Sequence, residues 1–324
     1  MKFYSVMLSL LLFSTSLFSQ DVTFFSASKI GSSARMVRLA GIEGMSKRAD
    51  SVFENPAALY NVSRFSSSFF TTTLMEEVKY QNGAAAFRLP IGVVGIGFMN
   101  VGVEDIIKSR KRELFDKTIY EIDSYFGYQN SLLKLAYQFS RSEHIHIGIS
   151  TSYYYSEFDT VKAEGVNGDL GFIFNSTQFE FAILFRNVID SNDVTFSDTE
   201  EGSNSSDGQT EKLSFETIYS LQYRLRNFNV YGQIKTTMEL DRGVHKAIAI
   251  EYAPRFLPFV SFSGGFKRFP FMFYEEGELR KESKNSFSLG FALDLVGVNF
   301  DYAYEKSDHI EFENKHYFSA GYSF

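Results

Sequence analysis

The chain contains no cysteine and no tryptophan. The first absence excludes disulfide staples and thiolate metal sites. The second means that any aromatic belt must be made of Phe and Tyr alone. Beyond the first twenty positions no apolar run approaches the roughly 20 residues that a membrane-spanning helix needs. Positive charge is also short. Lys and Arg number 32 against 39 Asp and Glu, a net charge of −7, which argues against a nucleic-acid partner. Aromatic residues, in contrast, are abundant: 36 Phe and 19 Tyr make up 17% of the chain. The mean hydropathy is nevertheless only −0.14. A soluble core has little use for so many rings. A transmembrane β-barrel does, because its outer band is apolar and its interfaces carry aromatic girdles.

The chain opens with Met1 and Lys2, followed by an apolar, Ser-containing run from Phe3 to Phe18. A short positive start, an apolar stretch from Val6 to Phe13 and a small residue at Ser19 describe a secretory signal peptide over residues 1–19. Residues 20–63 differ from everything after them. They are rich in small residues, have no sustained period of two and are too few to fold as a separate domain. They read as short helical turns that pack on, or plug, something larger.

From Arg64 onward the pattern has period two, the signature of strands. In 285–296, Phe287, Leu289, Phe291, Leu293 and Leu295 share one face. Ser286, Ser288, Gly290, Ala292 and Asp294 share the other. About fourteen such strands fit between residues 64 and 324, among them 92–104, 124–139, 259–269 and 285–296, and most exceed the usual soluble length of about 5–6 residues. The long connections, 105–123, 190–211, 270–284 and 307–314, all follow odd-numbered strands. Those after even-numbered strands are tight turns, such as Leu89-Pro90-Ile91 and Val296-Gly297. Long loops at one end and short turns at the other are the rule for outer-membrane barrels. The fold class expected is therefore all-β: a transmembrane antiparallel β-barrel of about 14 strands, residues 64–324, with a small N-terminal plug (hatch), residues 20–63, in its lumen. In hydrocarbon each unpaired backbone group is costly, so the last strand must close on the first. A barrel this wide leaves a lumen that wall side chains alone do not fill. The last strand alternates Phe318, Ala320, Tyr322 and Phe324 with Ser319, Gly321 and Ser323 and ends on an aromatic residue. Phe318, Tyr322 and Phe324 thus resemble the C-terminal signal read by the barrel-assembly machinery.

Ala34-Arg35, Leu39-Ala40-Gly41, Arg48-Ala49-Asp50 and Asn55-Pro56-Ala57-Ala58-Leu59 together resemble the N-terminal hatch of the FadL-type outer-membrane protein superfamily, and more closely its PorV/PorQ branch. The likeness continues through Ala163 to Gly171 and the last two hairpins. The sequence departs from the pattern at Ala58, where Gly is usual, and in having fewer glycines before Asp50. The resemblance implies a fourteen-stranded barrel with a lumenal hatch whose motif residues are Asp50, Asn55, Pro56 and Ala57. It implies one of two roles. The first is passive uptake of hydrophobic compounds such as long-chain fatty acids, with a sideways exit through the third strand. The second is that of an accessory in type IX protein secretion. A structural barrel without transport is a third possibility. The exit would lie at Gly92, Gly95, Gly97 and Phe98, since glycine weakens a strand and permits bends. The same glycines equally serve to accommodate the hatch. For Asn55 and Pro56 a turn-fixing role is the simpler reading.

No catalytic constellation stands out, and no enzyme activity or cofactor is expected. His144 and His146 lie two apart, but no third ligand can be assigned, so lining of the lumen or interface is the better reading. No Gly-x-Ser-x-Gly nucleophile motif and no phosphate-binding loop is present. The basic run Lys108-Ser109-Arg110-Lys111-Arg112 falls in an expected outer loop, where it would be solvated or touch anionic lipopolysaccharide. The partners expected are outer-membrane lipid and lipopolysaccharide, the assembly machinery, and either a hydrophobic ligand or secretion-system proteins.

Overall fold

The computed structural model describes residues 31–324 except 75–77, 115–116, 160, 190–192, 199–209, 238–242, 276–277 and 309–313. The expected signal peptide and residues 20–30 of the expected hatch lie outside the described residues. After a short helix α1 (Ala34–Arg38) come two 3-10 turns, Ala49–Val52 and Pro56–Asn61. Sixteen strands follow. The first seven are β1 Phe65–Leu74, β2 Val78–Leu89, β3 Gly92–Leu114, β4 Lys117–Ser140, β5 Ile145–Phe158, β6 Val161–Asn175 and β7 Phe179–Arg186. Two short ones, β8 Asp193–Asp198 and β9 Thr210–Lys212, interrupt the series. The rest are β10 Glu216–Leu225, β11 Phe228–Thr237, β12 Val244–Tyr252, β13 Val260–Glu275, β14 Glu278–Leu295, β15 Val298–Ser307 and β16 Lys315–Ser323.

All pairings are antiparallel, and fourteen of the strands close a ring. β1 pairs with β16 from Ser66↔Ser323 to Thr71↔Phe318, which removes the two edges that hydrocarbon would penalise. The Phe324 carbonyl secures the seam by accepting from the Arg64 and Phe65 amides, each at 3.1 Å. β8 and β9 form a small hairpin appended to β6 outside the ring. The hairpin turn at Val296-Gly297 has positive φ at both residues (51° and 83°), the twist that a two-residue connection requires.

The alternation seen in the sequence is turned inside out relative to a soluble sheet. In β14, Phe287 and Leu289 are 61% and 63% exposed, while Ser286 and Ser288 are 1% and 2% exposed. Large apolar side chains point outward because the solvent there is lipid, and small polar ones point into the lumen. This is a transmembrane β-barrel.

Three expected loops contain strand: 190–211 holds β8 and much of β9, and the other two, 105–123 and 270–284, are paired ribbons. β3 and β4 continue beyond the expected boundaries as a paired ribbon, Ile106↔Phe126 to Leu114↔Lys117. β13 and β14 likewise pair out to Glu275↔Glu278. In the first ribbon the basic run is neutralised by its neighbours rather than left free. Lys108 pairs with Asp159, Arg110 with Asp123 at 2.9 Å and Arg112 with Glu121 at 3.4 Å. The alternation there is of charge rather than of hydrophobicity, so a hydropathy period misses it.

Candidate functional site

Residues 31–62 are almost entirely buried. α1 packs on β13, β14, β15 and β16. The 3-10 turns pack on β1 to β6, across the ring. A segment that touches opposite sides of a closed ring lies inside it. Local chemistry sets its shape. Ser33 caps α1, its hydroxyl accepting from the Met36 amide. Asn55 caps the second turn, its side-chain oxygen accepting from the Ala57 amide at 3.0 Å, and Pro56 sits at the first helical position. Asp50 is buried and accepts a hydrogen bond from the Ser46 hydroxyl. Asn55, Pro56 and Ala57 thus form the start of the second turn, while Asp50 bonds to Ser46 beside the first.

The wall is cut to receive the segment. Gly95 and Gly97 of β3 face inward. A Cβ on Gly97 would come 2.6 Å from the Phe53 ring, and one on Gly95 would collide with Val52. Gly148 of β5 lies directly opposite Gly171 of β6, and a Cβ at either would strike the Asn55-Pro56-Ala57 turn. Of the glycines expected at an opening, Gly95 and Gly97 make room for the segment, whereas Gly92 has positive φ and lies against Gln138 and Tyr137 of β4. β3 pairs in unbroken register with β2 from Gly92 to Gly102 and with β4 from Val93 to Val103. No gap lies at Gly92, Gly95, Gly97 or Phe98, and Val94, Ile96 and Phe98 face outward toward lipid. The strand pairing shows no sideways opening at these residues. The register shifts of β3 come higher, between Val103 and Ile106 and between Lys108 and Ser109.

Charged residues, not foreseen from sequence, tie the segment to the far wall. Arg38 reaches Glu251 of β12 at 2.8 Å and Asp301 of β15 at 3.1 Å, and donates to the Ser263 hydroxyl at 2.9 Å. Arg48 pairs with the same Asp301. Glu43 pairs with Arg186 of β7 and with Lys235 of β11, and both of these cations also bind Glu216 of β10. Wall side chains also serve the segment's backbone. The Ala34 and Ala40 amides donate to Ser319 and Ser288, each at 3.1 Å, and Glu43 N donates to Gln233 at 2.7 Å. Buried charges persist only when paired in this way. The single sequence signal available was the recurrence of Glu, Asp or Lys on the otherwise small inward faces.

Glu54, wholly buried, accepts from Ser32 Oγ at 3.0 Å and from the Gly44 amide at 3.2 Å. Burial, and then the neighbouring Asp50 charge, push its carboxyl up to about 8. Arg35 donates to the Met45 carbonyl at 2.8 Å, while its Nη1 and the Asn55 Nδ2 are buried without a partner. The space between Glu43, Gly44, Asn55, Ala182, Leu184, Ile218 and Ser220 is too narrow to hold a water molecule.

His146 faces the lumen, stacked on Tyr60 with ring centroids 3.7 Å apart, whereas His144 binds the Asn175 carbonyl. Among the described residues no cluster of three His, Asp or Glu side chains is placed to hold a metal ion. Phe318, Tyr322 and Phe324 form an outward-facing aromatic column beside the seam, with Tyr322 and Phe324 rings 5.7 Å apart.

No protein-family model matches the sequence, and no curated protein does. Solved structures match over nearly their whole length. The P. putida toluene transporter TodX has a TM-score of 0.57 at 9% identity, covering 90% of this chain and 98% of that one. CymD, a monoaromatic hydrocarbon channel, also scores 0.57 at 11% identity, with coverages of 89% and 96%. The Ralstonia pickettii toluene transporter TbuX scores 0.55 at 10% identity, with coverages of 90% and 98%. The chain shares the barrel fold of these channels. At such identities the likeness shows the fold alone.

Proposed function

We propose that this protein is an integral outer-membrane channel, not an enzyme, which admits hydrophobic compounds by passive diffusion and is gated by its N-terminal segment. The observation that carries the reading is the match, over nearly the full length of both chains, to barrels described as toluene transporters and monoaromatic hydrocarbon channels. The lipid-facing apolar surface fits an integral location. The signal-peptide pattern of residues 1–19 fits export, and the column Phe318, Tyr322 and Phe324 fits delivery by the barrel-assembly machinery. The solute class is small and apolar, from monoaromatic hydrocarbons to long-chain fatty acids. It would pass alongside the segment, because β3 is sealed on both sides.

The sealed wall and packed segment favour a second reading. A barrel that transports nothing and instead docks secretion-system proteins, as the PorV/PorQ resemblance implies, needs no path. A deletion strain separates the two. Loss of labelled toluene or oleate uptake, restored by the wild-type gene, supports the channel. Normal uptake together with secreted proteins trapped in the cell overturns it in favour of secretion.

A further inference from the structure

Cations toward the long-loop end of the barrel fall into two groups. Those on β2, β3 and β6 are matched by carboxylates. Lys79 pairs with Glu104 at 3.3 Å, Lys162 with Glu157 at 3.7 Å, and the basic run of β3 with Asp159, Asp123 and Glu121. Four that point outward from β12 to β15 are not. Lys246, Arg268, Lys281 and Lys306 are exposed and continue the outward faces of Ile248, Phe266, Phe287 and Tyr304 toward the long loops. Lys246 stands directly opposite Arg268, where like charges repel. Arg268 and Lys306 flank β14 from its two sides, with Lys306 directly opposite Phe287. Lys281 reaches across to the head of β12, since a Cβ on Gly243 would lie 2.8 Å from its Nζ. Neighbouring strands are about 5 Å apart, so the patch is about 15 Å wide. Among the described residues none of these four side chains makes an ion pair or a hydrogen bond. The nearby carboxylates are engaged elsewhere: Glu282 pairs with Lys284 at 2.7 Å, and Asp308 accepts from Asn285 Nδ2 at 3.2 Å.

We propose that β12 to β15 carry a binding site for a phosphorylated glycolipid of the outer leaflet. Lys246, Arg268, Lys281 and Lys306 hold its phosphates, and Ile248, Phe266 and Phe287 take its acyl chains. Two features select this ligand. Guanidinium and ammonium groups bind phosphate oxygens through charge-assisted hydrogen bonds, and an anion between Lys246 and Arg268 removes their repulsion. The patch also ends on an apolar surface, where the Phe266 and Phe287 rings lie 4.9 Å apart, so a bound anion is favoured when it carries a hydrocarbon tail. Long loops mark the outer end of such barrels, which places the patch at the outer leaflet. The basic run of β3, expected to touch lipopolysaccharide, is already neutralised, and the contact moves to the other side of the β1–β16 seam. The site rests on the outer-membrane location proposed above and not on the passage of any solute.

Titration of the purified protein, stripped of native lipid and held in zwitterionic micelles, with fluorescent diphosphoryl lipid A tests this by anisotropy. The Lys246→Gln/Arg268→Gln variant should bind at least about tenfold more weakly than wild type, the loss expected when a charge-assisted contact is removed. Lys306→Gln alone should weaken binding by a smaller factor. Lys79→Gln/Lys162→Gln, which removes two paired cations elsewhere, should leave the affinity within about twofold. Because Lys246 and Arg268 repel each other, their double variant should unfold without lipid at no lower urea concentration than wild type, so its weaker binding is not a folding defect. Equal affinity in wild type and in both the double and the Lys306→Gln variants overturns the proposal. So does an equal loss in the Lys79→Gln/Lys162→Gln control, which would assign the effect to overall charge. Dephosphorylated lipid A that binds as tightly removes the role of phosphate. Inorganic phosphate that displaces lipid A at equal concentration makes this a phosphate site without a lipid, and also overturns it. The titration involves no transport, so absent toluene and oleate uptake would sink the channel reading and leave the lipid site standing.

Discussion

Replacing Gly148 with Ala adds a single methyl group, yet the structure assigns it a large effect. Gly148 lies opposite Gly171, and the Asn55-Pro56-Ala57 turn rests in the hollow between them. An added Cβ would fall on the Pro56–Ala57 peptide, 2.7 Å from Ala57 Cα. Its neighbour is backbone held by the Asn55 cap, which cannot rotate aside as a flexible side chain would. The cost should therefore lie toward the upper end of the about 1–3 kcal/mol typical of overpacking. With a urea slope of about 2 kcal/mol/M, a loss of about 2 kcal/mol lowers the unfolding midpoint by about 1 M. Unfolding in micelles, followed by circular dichroism and by heat-modifiable gel mobility, reads this shift. Gly232→Ala is the control, since nothing lies within 4 Å of that position. It should stay within about 0.5 kcal/mol of wild type. Limited proteolysis adds a local readout: in Gly148→Ala, cleavage within residues 31–62 should appear while the barrel is still folded. If the two variants unfold at the same urea concentration and resist protease equally, the socket argument is wrong.

Three further expectations concern other contacts. Asp301→Ala leaves Arg38 and Arg48 without their shared partner and should cost about 3–5 kcal/mol in the same urea assay, whereas a neutral result would mean that the pairs are idle. Phe98→Lys places a charge on the lipid face of β3 and should cost about 2–4 kcal/mol if that position lies near the bilayer midplane, whereas no loss would argue against the membrane orientation. Glu54 has its folded value raised from 4.5 to about 8, so folding favours the neutral acid. Its contribution is full below pH 4.5 and is lost as the pH rises toward about 8, so protease resistance of the segment should fall between about pH 5 and pH 9. Glu54→Gln should flatten that dependence, and a dependence unchanged in the variant would assign it to another group.

The barrel was readable because lipid imposes a strict rule on every strand. Ser286 to Leu295 show it in its plainest form, and the tight turns at Leu89–Ile91 and Val296-Gly297 set the ends. The upper ribbon was not readable, because Lys108, Arg110 and Arg112 alternate without a hydropathy period and read as loop. Asn55 and Pro56 announced a capped turn through their own chemistry. Gly95 and Gly97 did not announce their role: a missing side chain is equally consistent with a bend or with a close neighbour, and only Val52 and Phe53 in space distinguish the two. Asp301 was the least visible of all. Its partners lie 253 and 263 positions away, and no local pattern connects them.

Passage itself is the central claim, and proteoliposomes measure it directly. Vesicles carrying the purified protein are mixed with toluene or oleate, and entry is followed by an enclosed reporter, with protein-free vesicles as the baseline. The account predicts entry faster than baseline and rising with the amount of protein. Entry indistinguishable from protein-free vesicles at every protein level would contradict it.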